Sequence, residues 1–506
     1  MSLRTFIYPP VANTVYRRHV KKMGLIVEEQ KNQLKQLLYT AKDTEFGKKH
    51  SFGFIKNYND YKNNVPLQHY NHLAASIEKM GQGQADILWP GVPKYFAATS
   101  GTLSGKKFIP ISTEGLKSQK MGRLTAMANY SMKYNKLNQL KGPMLFFSAR
   151  PSFVQFGKYK ARLVSALMAE TIPNWMKKYN LPSGGIYEIE NFGDRIDFMV
   201  KEALANKKDL RGIVAFPPWL QLFLNQLQLQ NDLDFEKIFP NFSLLVTSGM
   251  SYKPYEQIVR EKMGKHFDHL ETFPSSEGFI GFKDTLNEPG MSFMPSNGVF
   301  YEFVKIADVN KENAERIGIE ETETNTEYAL LLTTNSGLWS YVLGDTVKFI
   351  QTHPWKFVVT GRVGRTLSLV AEHVTIGDAD ACIDAVCKKQ NVTLHEYICS
   401  GNIPANGEKP RYEWIVECSN FPENKEAFAK ALHVQMMKLN VLYEEVSEDG
   451  VMDVPIVYFV PPGSFMRYLN HSLDIDAQQK LEHICADYIK FCNYKRFMFE
   501  NLTIPN

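Results

Sequence analysis

The spacing of apolar positions changes from region to region along this chain. Between Ile26 and Leu38 it is helical, so that Ile26, Val27, Leu34, Leu37 and Leu38 share one face and predict an amphipathic helix. Tyr95-Phe96-Ala97-Ala98 is a strand-like run that leads into a Ser/Thr/Gly loop. Phe108-Ile109-Pro110-Ile111 is a second run, and Ser112-Thr113-Glu114 after it reads as a helix start. In the middle third, short apolar runs (Met144 to Phe147, Gly212 to Phe216, Leu244 to Val246) alternate with segments long enough for helices. That alternation predicts an α/β arrangement with buried, largely parallel strands. From about Phe300 the runs come closer together: Val299 to Val304, Tyr328 to Thr333, Thr346 to Ile350 and Phe357 to Thr360 predict consecutive strands in a β-rich subdomain. Gly361-Arg362-Val363-Gly364-Arg365 reads as a flexible, solvated connection. Beyond it, Asp378 to Lys389 and Glu423 to Leu439 predict helices, and Tyr412 to Glu417 and Val454 to Val460 predict strands. The expected organisation is a large α/β domain over 1–360, a hinge over 361–366 and a small mobile α+β domain over 367–506.

Composition narrows this picture by exclusion. With 506 residues, 44% hydrophobic and 22% charged, the chain has ample core and is not of the disordered class. The net charge of +4 leaves no broad basic surface of the kind nucleic-acid binders show. The one basic cluster, Arg17-Arg18-His19-Val20-Lys21-Lys22, is expected to be a solvated helix face. The six cysteines lack C-x-x-C spacing and are expected to be buried free thiols. The first residues lack the apolar stretch of a signal peptide, and no run approaches the roughly 18 apolar residues of a spanning helix. A cytoplasmic protein without membrane or nucleic-acid partners is the expectation. His266-Phe267-Asp268-His269 lacks further metal ligands at matched spacing and is expected on a surface helix. No G-x-S-x-G elbow of a serine hydrolase is present.

The chemistry lies in short polar stretches at the ends of predicted strands. Thr99-Ser100-Gly101-Thr102-Leu103-Ser104-Gly105-Lys106-Lys107 gathers hydroxyls, glycines and lysines, which suit phosphate oxygens. It is not a Walker A loop, because three residues rather than four separate Gly101 from Gly105. Thr247-Ser248-Gly249 ends an apolar strand, where α/β proteins place ligands. Thr272-Phe273-Pro274-Ser275-Ser276-Glu277-Gly278 offers a ring for a base and a carboxylate for magnesium. Tyr341-Val342-Leu343-Gly344-Asp345 places an acid where it can accept both ribose hydroxyls. Gly361 to Arg365 and Ala371-Glu372-His373 follow. The first two stretches alone read equally as ordinary turns and the other three read better as such; the order of all five carries the weight.

That order resembles the acyl-adenylating superfamily of acyl-CoA synthetases, peptide-synthetase adenylation domains and luciferases. The closer resemblance is to the Gretchen Hagen family of acyl acid amido synthetases known from auxin and jasmonate conjugation. It is carried by Ala98 to Thr102, Lys107 to Pro110, Ser275 to Gly278, Met294-Pro295, Phe300 to Phe303, and Glu327-Tyr328 through Leu332 to Leu338. It closes on Tyr341-x-x-Gly344-Asp345-x-Val347 and covers most of the chain. The resemblance implies the acyl-adenylating fold and a monomer using ATP and Mg2+. A carboxylic acid is activated as an acyl-adenylate with loss of pyrophosphate, and an amino acid amine then displaces AMP. It implies that Thr99, Ser100, Gly101, Thr102 and Ser104 line the phosphates. Thr247, Ser248, Gly249, Thr272, Ser275 and Tyr341 would border the nucleotide, and Phe273 the adenine. Ser276 and Glu277 would stand by the phosphates and magnesium, Asp345 on the ribose, and Arg362 at the hinge. Lys120 and Arg123 are the candidates to hold the acid. The family usually has Tyr at the position of Phe273 and Lys near that of His373. Gln478-Gln479-Lys480 keeps the family's C-terminal Gln and Lys without its Pro-Arg, and Lys480 is the candidate for the α-phosphate. An acyl-CoA ligase, or a non-catalytic nucleotide or acyl-acid binding protein, stands as the alternative.

Overall fold

In a computed structural model, the structure describes residues 3–99, 107–147, 153–172, 177–182, 186, 189, 192–230, 234–249, 252, 255–309, 311, 313–363, 366–370, 372–404, 407–471 and 483–500. The chain divides into two compact units. The first comprises Met1–Ala98, Phe108–Glu188 and Ile196–Val363; the second comprises Thr99–Lys107, Ile189–Arg195 and Gly364–Asn506.

The first unit is built on two sheets. The larger is seven-stranded, in the order Ser292–Phe293, Phe279–Phe282, Asp268–Pro274, Leu244–Thr247, Gly212–Ala215, Met144–Phe146, Asn180–Leu181. From Asp268–Pro274 onward, neighbours run parallel. Parallel strands joined by helical crossovers are covered on both faces. This explains why the apolar runs are continuous rather than alternating: all of Leu244–Thr247 is buried. The second sheet is an antiparallel meander of Val299–Lys305, Glu327–Thr334, Tyr341–Thr352 and Trp355–Arg362. Its core is aromatic, with Phe293 stacked on Phe357 at 3.9 Å between ring centroids and Phe303 edge-on to Phe349 at 5.1 Å.

Helix Ile26–Ala41 packs on the meander through the predicted face, with Ile26, Leu34, Leu37 and Leu38 buried and Val27 partly so. Two glutamines interrupt that face for a reason that spacing does not disclose. Gln30 donates to the carbonyls of Pro295 and Val299 and accepts from the N–H of Tyr301, and Gln33 accepts from that of Gly298. Apolar spacing predicted no helix before Ile26; the helix face expected at Arg17 to Lys22 belongs to a longer helix, Leu3–Met23. The basic cluster lies on it: Arg17, Arg18 and Lys21 are exposed as expected, whereas His19 is buried and Lys22 pairs with Glu29 at 2.7 Å. The expected surface helix at His266 to His269 is corrected to the start of strand Asp268–Pro274. Pairing with Leu244–Thr247 draws it into the sheet, where Asp268 accepts from the Tyr130 hydroxyl at 2.7 Å.

The second unit carries a four-stranded sheet, in the order Ile456–Val460, Arg411–Cys418, Leu394–Asn402, Ile484–Cys485, with helices that include Ile376–Lys389 and Lys425–Leu439. The first of these helices starts at Ile376, two residues before its predicted start. Thr375 caps it, accepting from the N–H of Asp378, while the Asp378 carboxylate accepts from that of Thr375. All six cysteines are free, and all but Cys492 are buried. No described helix is long and apolar enough to cross a membrane.

Candidate active site

Helix Thr113–Lys133 is the beam along which the first unit's candidate residues are arranged. Ser112 caps it as predicted, accepting from the Gly115 N–H at 2.8 Å while donating to the Asn335 carbonyl at 2.6 Å. Asn335 in turn donates to Ser118 at 2.9 Å. Further along, Gln119 donates to the Ser275 carbonyl at 2.7 Å. Gly122 lets the helix lie directly on Phe279, whose ring stands 2.3 Å from where a Cβ would be. One helix is thus tied both to the Asn335-Ser336 turn and to the Ser275–Gly278 turn.

That second turn presents two of the predicted residues. Ser275 closes it, with its N–H donating to the Gly278 carbonyl at 2.8 Å and its hydroxyl accepting from the Gly278 N–H at 3.2 Å. Ser276 and Glu277 are left at the tip, both half-buried, beyond the carboxyl end of Asp268–Pro274. Thr272 donates to the carbonyl of Thr247 at 3.1 Å, which joins two neighbouring strand ends. The Thr247 side chain is turned inward, where its hydroxyl and His269 Nε2 share a 2.7 Å hydrogen bond. Burial, helped by the positive charges of Lys283 and Arg260, holds that imidazole down to about 3, so it is neutral. Ser248 is half-buried and Gly249 exposed. Phe273 differs from the expectation of a base-stacking ring. It is 8% exposed and packs in the meander core near Phe357, because consecutive strand residues face opposite ways and Thr272 takes the other face.

Tyr341 and Asp345 stand on one strand of the meander. Tyr341 is buried, and burial pushes its phenol well above the usual range; the Glu277 carboxylate pushes in the same direction and Arg362 opposes it. Glu277, Tyr341 and Arg362 therefore share one electrostatic neighbourhood. Asp345 pairs with Arg362 across the strand register at 3.2 Å. Burial raises the Asp345 carboxyl, and the guanidinium pulls it back. Between Tyr341 and Asp345, Gly344 has φ +96°, and its carbonyl accepts from the Val363 N–H at 2.6 Å. The reading of Arg362 as a solvated hinge residue is corrected in part: it ends strand Trp355–Arg362 and is half-buried.

The two candidates for the acid differ. Lys120 is exposed. Arg123, one turn on, is half-buried and makes no hydrogen bond or ion pair with a described residue; burial alone lowers its guanidinium to about 10. An enclosed cation without a partner among the described residues suits a ligand carboxylate. Thr99 ends strand Tyr95–Thr99 and Lys107 opens Lys107–Ile111. Ser100, Gly101, Thr102, Ser104 and Lys480 lie outside the described residues. A separate cleft of about 590 Å³, lined by Phe46, His50, Leu67, His69, His72 and Val309 among others, contains none of the predicted residues. Among the described residues no group of three or more His, Cys, Asp and Glu is poised to hold a metal. Of the residues that position the predicted ones, Gln119 was not singled out by sequence reasoning, Asn335 entered only within a family-like stretch and His269 only in an unmatched metal-ligand pair, since a positioning hydrogen bond leaves no mark in spacing.

Comparison with known proteins places the chain in a lineage. The GH3 family N-terminal domain matches residues 20–238, the GH3 family central domain 292–362 and the GH3 family C-terminal domain 377–488. An indole-3-acetic acid-amido synthetase of Arabidopsis thaliana is 21% identical over 94% of this chain and 93% of its own. A jasmonoyl–L-amino acid synthetase of Nicotiana attenuata is 24% identical over 48% of this chain and 43% of its own. The solved structure of a GH3.15 acyl acid amido synthetase in complex with 2,4-DB superposes with a TM-score of 0.62 at 14% identity, covering 97% of this chain and 96% of that one. A 2-hydroxyisobutyryl-CoA ligase in complex with 2-HIB-AMP and CoA gives 0.57 at 14% identity, covering 95% and 92%. At such identities the superpositions establish the acyl-adenylating fold. The three family domains, matched in order over well more than half of the sequence, establish the lineage: this chain belongs to the GH3 family.

Proposed function

We propose that this chain is an ATP-dependent acyl acid amido synthetase. The observation that carries this reading is the Asp345–Arg362 pair at 3.2 Å, on the strand that begins with Tyr341, in a GH3-family chain whose Ser276-Glu277 turn stands half-buried at a strand end. A carboxylate is a poor electrophile until one of its oxygens becomes a good leaving group. In the first half-reaction the acid's oxygen attacks the α-phosphorus of ATP, and the bond to pyrophosphate breaks. In the second the amine of an amino acid attacks the acyl carbon, the bond to AMP breaks, and the nitrogen sheds its proton. Asp345 is assigned the ribose hydroxyls. Arg123 is assigned the acid's carboxylate, and Lys120, being exposed, the outer rim. Ser276 and Glu277 are assigned the phosphate side, with Ser100, Thr102, Ser104 and Lys480 as further phosphate ligands. Glu277 fits a magnesium ion, which characteristically takes one or two carboxylates and shares phosphate oxygens; it would there neutralise charge on the phosphates. Holding acid and ATP together supplies an orientation term of about 7–11 kcal/mol. The change of unit after Val363 supports a hinge at 361–366, which suits two half-reactions in one site. The free cysteines support a reducing compartment such as the cytoplasm, and a monomer is part of the same reading.

ATP–pyrophosphate exchange across a panel of carboxylic acids, followed by mass spectrometry with amino acids, tests the reading. Exchange with at least one acid, an amide product, and loss of exchange in Asp345→Ala are expected. Binding of ATP without exchange for any acid would overturn it in favour of a binding protein. A thioester with CoA and no amide would select the ligase.

A further inference from the structure

Ser340 immediately precedes the strand that carries Tyr341 and Asp345. It is fully buried with φ +43°, in the left-handed region that side chains disfavour. A residue stays there only where its surroundings over-determine it, and here each of its polar groups is held. Its N–H donates to Thr333 Oγ1 at 2.9 Å, and its carbonyl accepts from the Gln68 N–H at 3.0 Å. Its hydroxyl accepts from Arg316 and donates to Glu302, both in short contacts. Glu302 and Arg316 also pair directly at 3.3 Å, and both are buried. Arg316 spends its other nitrogen on the carbonyls of Lys62 and Val65, each at 2.7 Å, and Tyr58 donates to Glu302 at 3.2 Å.

A buried ion pair is weak evidence for stability, since apolar side chains of similar volume often serve as well. This pair, however, converges on one strained serine. The next residue, Tyr341, is set in register opposite Leu332, and the Val342 N–H donates to the Gln68 carbonyl at 2.9 Å. We propose that Glu302 and Arg316 are positioning residues for nucleotide binding. By locking Ser340 they set the entry of strand Tyr341–Thr352, and with it the places of Tyr341 and Asp345. The inference rests on the assignment of Asp345 to the ribose.

The test measures ATP affinity by isothermal titration, and KM for ATP and for the acid by exchange. The proteins are the wild type, Glu302→Gln, Ser340→Ala, Ser340→Gly and, as a packing control in the adjacent strand, Leu330→Val. Glu302→Gln and Ser340→Ala are expected to weaken ATP about tenfold, with the KM for the acid unchanged. Leu330→Val is expected to lower Tm without that split. Glycine adopts a positive φ without strain, so Ser340→Gly keeps the fold while removing the hydroxyl link, and it too is expected to weaken ATP about tenfold. Unchanged ATP affinity in Ser340→Gly, or an equal loss in Leu330→Val, overturns the proposal. A wild type that binds no ATP would instead remove the nucleotide assignment itself, and this inference with it.

Discussion

The proposed assignment of Arg123 to the acid has a cost that can be read at the scale of one residue. Its guanidinium is half-enclosed on helix Thr113–Lys133 and has no partner among the described residues, so burial lowers its pKa to about 10. An enclosed charge without a partner destabilises the free protein, and sites of this kind commonly trade stability for function. Arg123→Met should therefore raise thermal stability by about 0.5–2 kcal/mol while raising the KM for the acid and leaving the KM for ATP in place. Scanning calorimetry with exchange kinetics reads both. A destabilised variant with an unchanged KM for the acid would mean that Arg123 is a structural residue. Lys120, its neighbour in sequence reasoning, is solvated, and the difference between the two comes entirely from what packs around the helix.

At the scale of elements, most of the fold was legible. Three of the seven strands of the larger sheet, Met144–Phe146, Gly212–Ala215 and Leu244–Thr247, announced themselves as continuous apolar runs, the meander as closely spaced runs, and helix Ile26–Ala41 as a stripe. Helix Leu3–Met23 was legible only at its end, where Arg17 to Lys22 read as a helix face; the rest contains Pro9 and Pro10 and has little segregation of apolar residues. Strand Asp268–Pro274 was misread because its polar residues are satisfied by distant side chains such as Tyr130 and Thr247. Helix Thr113–Lys133 was read from its cap, but its contacts with Asn335 and Ser275 were not. Those contacts depend on Gly122, where a Cβ would meet the Phe279 ring. Gly122→Leu should cost roughly 1–3 kcal/mol or more by overpacking and should raise the KM for ATP as the Ser276-Glu277 turn moves with Phe279. Denaturant unfolding and exchange kinetics measure the two effects; a stable variant with native kinetics would show that the helix does not set the turn.

At the scale of the molecule, buried neutral histidines shape the acid limb of stability. His269 and His19 are held down to about 3 and about 4, chiefly by burial. Below the ordinary histidine range the unfolded chain takes up protons that the folded chain refuses, so stability falls as pH falls. The wild type should lose about 1.4 kcal/mol per pH unit relative to His269→Gln between about pH 6 and pH 4. Urea unfolding at several pH values checks this, and parallel curves would show that His269 titrates normally in the fold. By itself the sequence determined the fold class, much of the order of elements, the lineage and the residue types proposed for the nucleotide site. These follow from local periodicity and from short polar motifs at strand ends, which are written in neighbouring positions. Only the tertiary structure decided that Asp345 pairs with Arg362, that Phe273 faces the core, and that Arg123 is enclosed while Lys120 is solvated. It alone joined Ser340 to Glu302 and Arg316. The physical reason is that burial and partnership are properties of residues brought together from distant parts of the chain, and no local pattern encodes them.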